Sequence, residues 1–418
     1  MMKISEMQKY EVYKDSGVEW LGDIPSSWEL KPGFVAFRES KSNNKGMKEN
    51  TVLSLSYGNI VVKPEEKLVG LVPESFENYQ LVEPDDIIVR CTDLQNDKVS
   101  LRTGLAKNKG IITSAYLNLR AKSGFDARFL HYYLYSLDTT KVLYKFGSGL
   151  RQNLSFLDFK RLPIFEIPED TQKLISNYLD KKTALIDEAI SIKEQQISLL
   201  KERKQIIIQQ AVTQGLDPNV PMKDSGVDWI GKIPAHWEVK KVKHFGRIRS
   251  GDSITNSELL DEGLYEVFGG NGLMGFSNYF NVEGDTIVIG RVGALCGNVR
   301  YINEKKWISD NALVLKLVGG LDYQYAQQLL AIADLNKLNS SNAQPLITGT
   351  KVLNFSVPIP PVGERSAITQ FILEQDKLIE TAISMQQHQI QKLKEYKTTL
   401  INSAVTGKIK ITPEMVEQ

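Results

Sequence analysis

The chain of 418 residues repeats itself, and this repeat limits its fold more than any other feature. The stretch YKDSGVEWLGDIPSSWEL at 13–30 returns almost unchanged as MKDSGVDWIGKIPAHWEV at 222–239. A second pair matches in one register, LISNYLDKKTALIDEAISIKEQQISLLKERKQIIIQQAVTQG at 174–215 and ITQFILEQDKLIETAISMQQHQIQKLKEYKTTLINSAVTGK at 368–408. Self-similarity of this kind marks a duplicated structural unit. The chain is therefore two copies of one plan: a repeat segment, a variable body, a proline turn and a long helical segment.

The two long segments have the periodicity of coiled-coil helices, because apolar side chains recur in alternating steps of four and three residues. The predicted seam contains Leu179, Ile186, Ile190, Ile197, Leu200 and Ile207 in the first segment, and Ile372, Ile379, Ile383, Ile390, Leu393 and Leu400 in the second. At ~1.5 Å per residue, ~45 residues make a rod roughly 65 Å long, and two such rods bury their apolar stripes most simply by packing together. The polar seam positions Lys193, Gln386, Lys204 and Lys397 fit either a device that sets the register or lysines that snorkel to solvent.

The two intervening bodies share a plan but little sequence. Each has β-rich runs: TVLSLS, DDIIVR and SAYLNL in the first, and LYEVF, DTIVIG and ALVLKL in the second. Each then has a short amphipathic helix, at 126–138 or 322–335, and a polar loop. We predict an α+β fold with two mixed α/β domains separated by two long antiparallel helices that form a coiled coil, with an internal pseudo-two-fold repeat. The predicted domains are 1–30 (first repeat segment), 31–162 (first variable domain), 163–215 (first long helix), 216–239 (linker and second repeat segment), 240–357 (second variable domain), 358–408 (second long helix) and 409–418 (C-terminal tail).

Composition argues against several classes of protein. Hydrophobic content of 42% and charged content of 24% are typical of a globular chain. No apolar run approaches the ~20 residues of a membrane span, and the N-terminal stretch has no signal-peptide core, so we expect a cytoplasmic location and no membrane partner. Cys91 and Cys296 stand apart, which argues against disulfide frameworks and cysteine-based zinc sites. The net charge of +1 carries no signal for nucleic acid, so DNA binding must rest on local features or on partner chains.

The order of the parts is itself a signature. A W-x-G-x-I-P-x-x-W segment, a variable domain, a turn of the LPIFEIPEDTQKLI type and a long helix all occur twice and cover essentially the whole chain. This order resembles the specificity subunit of type I restriction–modification systems. GIITSAYLNL, VFGGNGLMGF and IGRVGALCGNV are also similar to stretches of that family's target-recognition domains. The second turn, VPIPPVGERSAI, departs from the pattern because it lacks the glutamine that the first has at Gln172.

The resemblance implies a function and a set of partners. Each variable domain would read one half of a split, asymmetric site in double-stranded DNA, and the helical pair would carry two methyltransferase subunits, joined by restriction subunits. The chain itself would bind no cofactor, whereas the complex would use S-adenosylmethionine in the methyltransferase subunits and ATP with Mg in the restriction subunits. A duplicated chain with antiparallel helices has an approximate two-fold axis, so two methyltransferases could face opposite strands. Half-sites on one face of the duplex would be centred about one turn, ~10 bp, apart.

Base reading requires hydrogen-bonding side chains on loops, mostly Arg, Lys, Asn and Gln. The candidates are Tyr57, Asn59, Arg90, Arg102, Arg151, Gln152 and Asn153 in the first body, and Asn271, Asn278, Arg291, Asn298, Asn311, Asn342 and Gln344 in the second. Such Asn residues also commonly form turns, which is the simpler interpretation. A basic strip, KKVKHFGRIR, adds Lys240, Lys241, Lys243, Arg247 and Arg249, either as phosphate contacts or as a solvated strand edge. The tryptophans of the repeat segments, Trp20, Trp28, Trp229 and Trp237, are interpreted as core or interface anchors.

Motifs for catalysis are incomplete in this sequence. GVDWIGKI at 226–233 has Ile233 where a P-loop needs Ser or Thr, and GNGLMG at 270–275 is not followed by a helical pattern, so it is interpreted as a glycine-rich loop. No base-methylation or nuclease motif is complete, and the four histidines, His131, His236, His244 and His388, lack metal-ligand spacing. We therefore predict a non-catalytic subunit without a metal site. The alternatives are a methylation-only defence system, a coiled-coil adaptor that binds no DNA, and a self-contained nuclease or methyltransferase, which the missing motifs disfavour.

Overall fold

The computed structural model describes residues 4–64, 66, 75–97, 99–147, 152–293, 295–339 and 345–417. The chain divides into two compact units: unit 1 is Met1–Lys193 with His388–Gln418, and unit 2 is Glu194–Gln387. The division passes through both long helices. Each unit therefore contains the first part of one long helix and the last part of the other.

In each half of the chain the described residues form a run of short strands, two short helices, one further strand and a long helix. The first half forms β1 (Tyr13–Asp15), β2 (Asp23–Pro25), β3 (Glu29–Pro32), β4 (Phe37–Glu39), β5 (Leu53–Ser56), β6 (Asn59–Val62), β7 (Gln80–Val82), β8 (Ile87–Val89), β9 (Thr103–Leu105), β10 (Gly110–Ile112), β11 (Leu117–Ala121), α1 (Ala127–Thr139), α2 (Phe156–Arg161), β12 (Pro163–Glu166) and α3 (Glu169–Gln214). The second half forms β13 (Met222–Asp224), β14 (Lys232–Pro234), β15 (Glu238–Lys241), β16 (Gly246–Ser250), β17 (Tyr265–Gly269), β18 (Gly272–Ser277), β19 (Thr286–Gly290), β20 (Val299–Ile302), β21 (Trp307–Ile308), β22 (Ala312–Leu317), α4 (Tyr323–Ile332), α5 (Gly349–Asn354), β23 (Ser356–Ile359), α6 (Val362–Val405) and α7 (Pro413–Glu417). Each of the six predicted β-rich runs contains a strand.

The two units are built on one frame. Each has an antiparallel four-stranded sheet, ordered β4-β11-β8-β9 in unit 1 and β16-β22-β19-β20 in unit 2. The repeat segments form equivalent hairpins, β1 with β2 and β13 with β14, and each sends a further strand to pair with the proline turn, β3 with β12 and β15 with β23. The duplication seen in the sequence is therefore a duplication of topology, and the predicted α+β fold class is confirmed.

The additions to this frame differ between the units. Unit 1 carries the hairpin β5–β6 and the pair β7–β10. Unit 2 instead carries the hairpin β17–β18, with β21 joined to β17 in parallel. The GNGLMG stretch forms the turn of this second hairpin and the start of β18, so it is not a nucleotide-binding loop.

Each sheet is covered by the short helix that the sequence predicts. Asp126 and Asp322 cap α1 and α4, since their carboxylates accept hydrogen bonds from Phe129 N and Tyr325 N. The apolar faces of the two helices are buried in the cores of their own units. Each large apolar side chain that is fully buried contributes roughly 1.5–3 kcal/mol.

The two long helices, of 46 and 44 residues, pack antiparallel within each unit. In unit 1 Asp187 of α3 meets Lys397 of α6 at 2.7 Å, and in unit 2 Lys204 of α3 meets Glu380 of α6 at 2.8 Å. The repeat register places Lys204 on Lys397, so the same cross-helix ion pair is built twice. This pairing favours the interpretation of the seam lysines as a register device.

The predicted seam side chains are removed from solvent to different degrees. Those that are buried are Leu179, Ile186, Ile372, Ile379, Ile383, Ile390, Leu393 and Leu400, and those that are half-buried are Ile190, Ile197, Leu200 and Ile207. The apolar stripe of α6 is thus covered more completely than that of α3.

The end of each long helix closes on a repeat segment of its own unit. In unit 1 Gly407, with φ +72, packs against Pro25 and Trp28, and Tyr13 donates its hydroxyl proton to Gly407 O at 3.1 Å. In unit 2 Gly215, with φ +77, packs against Pro234 and Trp237. Trp28 and Trp237 are buried, so each repeat segment forms a socket for a helix C-terminus.

The two proline turns pack by different means, as their sequences suggest. Gln172 is fully buried in unit 1, where its amide donates to Gly124 O and Ile167 O and accepts from Asp126 N. In unit 2 the repeat register puts Arg365 at this position, and its guanidinium donates to Pro360 O at 2.7 Å. The missing glutamine is thus replaced by another side chain that bonds a backbone carbonyl.

Candidate nucleic-acid interface

Three loop segments come together in unit 1 beside the end of β8. The turn of the β5–β6 hairpin lies against the segment before β9, because Leu101 packs so closely on Gly58 that a Cβ there would lie 2.9 Å from Leu101 Cδ1. The third segment precedes α2 and contains Asn153. It is joined to the loop after β8, because Asp93 N donates to Asn153 Oδ1 at 2.9 Å. Five of the predicted residues lie on these segments: Tyr57, Asn59, Arg90, Gln152 and Asn153.

The hairpin turn presents an aromatic side chain to solvent. Tyr57 (φ +48) and Gly58 (φ +78) both adopt left-handed backbone conformations, which a tight two-residue hairpin turn requires. Asn59 stabilises the turn by donating from Nδ2 to Tyr57 O at 3.3 Å. The Tyr57 side chain is 91% exposed, and an aromatic ring in this position can contact a base or sugar.

Polar side chains continue this surface on the other two segments. Arg90 directly follows β8 and forms an ion pair with Asp97 at 3.0 Å. Gln152 and Asn153 are exposed, and Gln152 has a φ of +48. Arg151 lies outside the described residues.

Arg102 is a correction to the predicted interface. Its side chain is completely buried, and its guanidinium donates to Tyr144 Oη at 3.1 Å and to backbone carbonyls, including Thr92 O at 2.8 Å. A side chain enclosed in this way cannot reach DNA. Sequence patterns favour Arg for base contacts, but they do not distinguish an exposed guanidinium from one that the chain wraps.

Unit 2 brings four predicted residues together in the corresponding region: Asn271, Arg291, Asn298 and Asn311. The β17–β18 turn approaches the loop after β19 so closely that a Cβ on Gly290 would lie 2.4 Å from Gly270 O. Only glycine permits this approach. Backbone bonds complete the arrangement, with Arg291 N donating to Asn311 O at 3.0 Å.

Among the remaining loop candidates of unit 2, the structure describes Asn278 but not the other two. Asn278 is exposed just after β18, and no described hydrogen bond ties it to the cluster. Asn342 and Gln344 lie outside the described residues. Sequence reasoning missed Arg300, whose Nη2 donates to Asn271 O at 3.2 Å. Arg300 lies on β20, the strand that pairs with β19 beside the loop, and this position could have drawn attention to it.

The basic strip lies beside the unit 2 cluster. All five of its side chains are exposed, and two pair with carboxylates, Lys240 with Glu238 and Arg249 with Asp252. In the part of the chain that the structure describes, Lys241, Lys243 and Arg247 have no carboxylate partner. The strip ends at Arg249, and the next residue, Ser250, accepts a hydrogen bond through its hydroxyl from Arg291 Nη1 at 3.1 Å, so the strip is continuous with the cluster. Exposed cations beside polar loops can neutralise phosphates.

Comparisons with known proteins agree on one family. Residues 234–395 match the family model described as the type I restriction modification DNA specificity domain. The specificity subunit of the type I restriction enzyme EcoprrI from Escherichia coli is 27% identical over 61% of this chain and 62% of its own length. These comparisons show that the chain is similar to type I specificity subunits.

Other relatives extend the similarity. The specificity subunit of the type I restriction enzyme MjaVIII from Methanocaldococcus jannaschii is 26% identical over 72% of this chain and 75% of its own length. A solved structure from work on complex assembly and conformational transition of a type I restriction–modification system has the same fold. It covers 91% of this chain and 98% of its own, with a TM-score of 0.69 and 14% identity.

Features of other kinds of site are limited in the part of the chain that the structure describes. Among the described residues, no group of three or more His, Cys, Asp or Glu side chains could hold a metal ion. Burial raises the pKa of the Cys91 thiol to about 12, so it is not a nucleophile near neutral pH. No helix in the described ranges is long and apolar enough to cross a membrane.

Proposed function

We propose that this chain is the DNA-specificity subunit of a type I restriction–modification complex and recognises a bipartite, asymmetric site. The loops gathered in unit 1 would read one half-site, and those gathered in unit 2 would read the other. The chain would perform no chemistry. The complex would use S-adenosylmethionine in its methyltransferase subunits and ATP with Mg in its restriction subunits, and it would act in the cytoplasm.

The observation that carries the proposal is a shared frame with different loops. The four-stranded sheets and socket hairpins are equivalent in the two units, whereas the loop-bearing hairpins have different pairings and different side chains. Polar and aromatic groups that are exposed on such loops suit base edges, and exposed cations beside them suit phosphates. One frame that carries two unlike surfaces fits the recognition of two unlike half-sites.

A second duplicated feature supports two identical partners. Leu185 and Ile192 on α3 are 50% and 47% exposed, and their repeat equivalents Leu378 and Met385 on α6 are 63% and 61% exposed. Each pair lies two turns apart on one side of its helix, away from the seam. Two equivalent exposed apolar pairs fit the docking of one methyltransferase subunit on each.

The recognition role is tested by methylome sequencing of cells that express the full chain with its methyltransferase subunit. The expected result is a single split motif, methylated on both strands. Replacing residues 31–162 by the corresponding domain of another specificity subunit should change one half of that motif and leave the other. A change in both halves, or no sequence-specific modification at all, would contradict the proposal. Failure of the complex to bind duplex DNA would favour a protein adaptor.

The docking role is tested by the stoichiometry of the purified complex in native mass spectrometry. Leu185→Glu and Leu378→Glu should each remove one methyltransferase subunit, and the double variant should remove both. Lys201→Glu is the matched control, because Lys201 is exposed and lies about 2.5 turns after Ile192, on the opposite side of α3. Equal loss in the control would refute the assignment of this surface.

A further inference from the structure

The loop between β8 and β9 in unit 1 is wrapped around one buried side chain. Arg102 is 0% exposed. Its Nε donates to Tyr144 Oη, and its Nη atoms donate to four carbonyl oxygens, those of Arg90, Thr92, Asp93 and Asp97. A guanidinium has five N–H donors, and all five have acceptors here.

Only an arginine side chain can make this set of contacts. Its planar fork has donors in fixed directions, whereas a lysine has three donors on a single atom. The four carbonyl groups belong to the loop itself, so the guanidinium sets the path of the backbone from Arg90 to Asp97. Loss of the side chain would leave four partly buried carbonyl groups without this partner, which costs free energy of folding.

Asp97 connects this buried centre to the surface. Its backbone carbonyl accepts from Arg102 Nη2, and its carboxylate Oδ2 lies 3.0 Å from Arg90 Nη1. The other carboxylate oxygen accepts from Ser100 N at 3.0 Å. Hydrogen bonds from the backbone and side chain of Ser100, together with Val99 N and the charge of Arg90, lower the pKa of Asp97 to about 2, so the carboxylate is charged at neutral pH.

Arg90 is thus held by one of its nitrogens while others remain available. Its side chain is 33% exposed, and the described residues provide no acceptor for its Nε or Nη2. An arginine that is fixed by a neighbouring carboxylate suits guanine, whose O6 and N7 accept two parallel hydrogen bonds.

We infer that Arg90 reads a guanine in the half-site of the first domain and that Asp97 and Arg102 are the residues that position it. This inference rests on the proposed function and deepens it. Unit 2 holds its corresponding loop by close glycine contacts and by the bond from Arg291 to Ser250. Changes to the Arg102 centre should therefore affect one half-site only.

The test uses the full chain expressed with its methyltransferase subunit and reads the motif from the methylome. Arg90→Ala should remove the preference for guanine at one position of one half-site, with discrimination falling roughly tenfold to a hundredfold. Asp97→Asn should relax the same position, since it keeps the oxygen that accepts from Ser100 N but loses the ion pair. Arg102→Lys should do the same, because lysine cannot hold four carbonyl groups. The other half-site should stay unchanged in all three.

A control separates positioning from stability. Arg120 forms a bidentate ion pair with the buried Asp86 in the same unit, away from the loop. Arg120→Lys should lower stability and the extent of methylation but leave the motif intact. If Arg102→Lys does not fold, Asp97→Asn decides the matter, because its backbone contacts are retained.

The outcomes have separate meanings. A wild-type chain that yields no split motif would overturn the proposed function and this inference with it. A wild-type split motif that Arg90→Ala leaves unchanged would overturn the inference alone. So would variants of Asp97 and Arg102 that weaken both half-sites equally, as the removal of a merely structural interaction would.

Discussion

The closure of α6 on the first repeat segment can be tested with a series of glycine substitutions. Gly407 has φ +72, and a Cβ there would lie 2.5 Å from both Cδ and Cγ of Pro25 and 3.2 Å from Trp28. Gly215 has φ +77, but its nearest atoms would be Trp237 at 3.2 Å and Pro234 at 3.7 Å. Gly226 has φ +70 and nothing within 4 Å. Alanine at the three positions therefore separates backbone strain from crowding.

The magnitudes follow from these distances. A left-handed alanine costs about 1–2 kcal/mol, and reduced freedom of the unfolded chain returns about 0.4–1 kcal/mol, so Gly226→Ala should cost about 1 kcal/mol. Gly215→Ala should lower the free energy of unfolding slightly more, because the Trp237 ring must move by a few tenths of an ångström to make room for the added Cβ. Gly407→Ala adds an overlap with a rigid proline ring, which is worth about 1–3 kcal/mol more, for a total of about 2–4 kcal/mol.

The assay is urea unfolding of the full chain, with amide hydrogen exchange to assign each loss to a unit. Gly407→Ala should increase exchange in the last turns of α6 and in the β1–β2 hairpin, and Gly215→Ala should do so at the end of α3. Equal costs for Gly407→Ala and Gly226→Ala would refute the reasoning, because they would mean that Pro25 does not confine the helix end.

Three further predictions concern buried and surface groups. Gln172→Leu should lower the free energy of unfolding by about 1–3 kcal/mol, because one buried and two partly buried backbone groups lose their partner; an unchanged urea midpoint would contradict this. Burial lowers the pKa of His131 from 6.5 to about 4, so the folded state binds fewer protons than the unfolded state between these values. Stability should therefore be complete above pH 6.5 and fall as the pH drops toward 4, and His131→Gln should flatten this fall in a urea series. Changing Lys241, Lys243 and Arg247 to Gln should reduce the slope of log K against log salt for duplex binding by about 0.9 for each phosphate that is no longer neutralised; an identical slope would show that the strip is only a solvated edge.

Local and repeated features were predictable because their signals lie within short stretches of sequence. The heptad spacing of Leu179, Ile186 and Ile190 identifies α3 without reference to any other part of the chain. The amphipathic pattern at 126–138 and the β-rich runs similarly identify α1 and the sheet strands. The duplicated W-x-G-x-I-P-x-x-W segment was sufficient to suggest two equivalent units.

The loops were less predictable because their contacts join residues that are distant in sequence. Arg102 was assigned to the interface since arginine is the commonest base-reading side chain, yet its environment depends on Tyr144 and on the turn at Asp93. Asp97 was not selected because the search for base contacts favoured Arg, Lys, Asn and Gln and passed over carboxylates. The proximity of the β5–β6 turn to the loop after β8 depends on the packing of Leu101 against Gly58, which no local pattern encodes.

The amino-acid sequence by itself determined that this protein is a duplication, that its long segments are helices with one apolar stripe each, and that its variable bodies lie between them. Periodicity and self-similarity are properties of neighbouring residues, so they can be read directly. The tertiary structure alone decided which end of which helix fills each repeat socket, which candidate side chains reach the surface, and which arginine is enclosed. These outcomes depend on close packing and on the pairing of buried polar groups between distant segments, where separations of a few ångströms decide between an exposed side chain and a buried one.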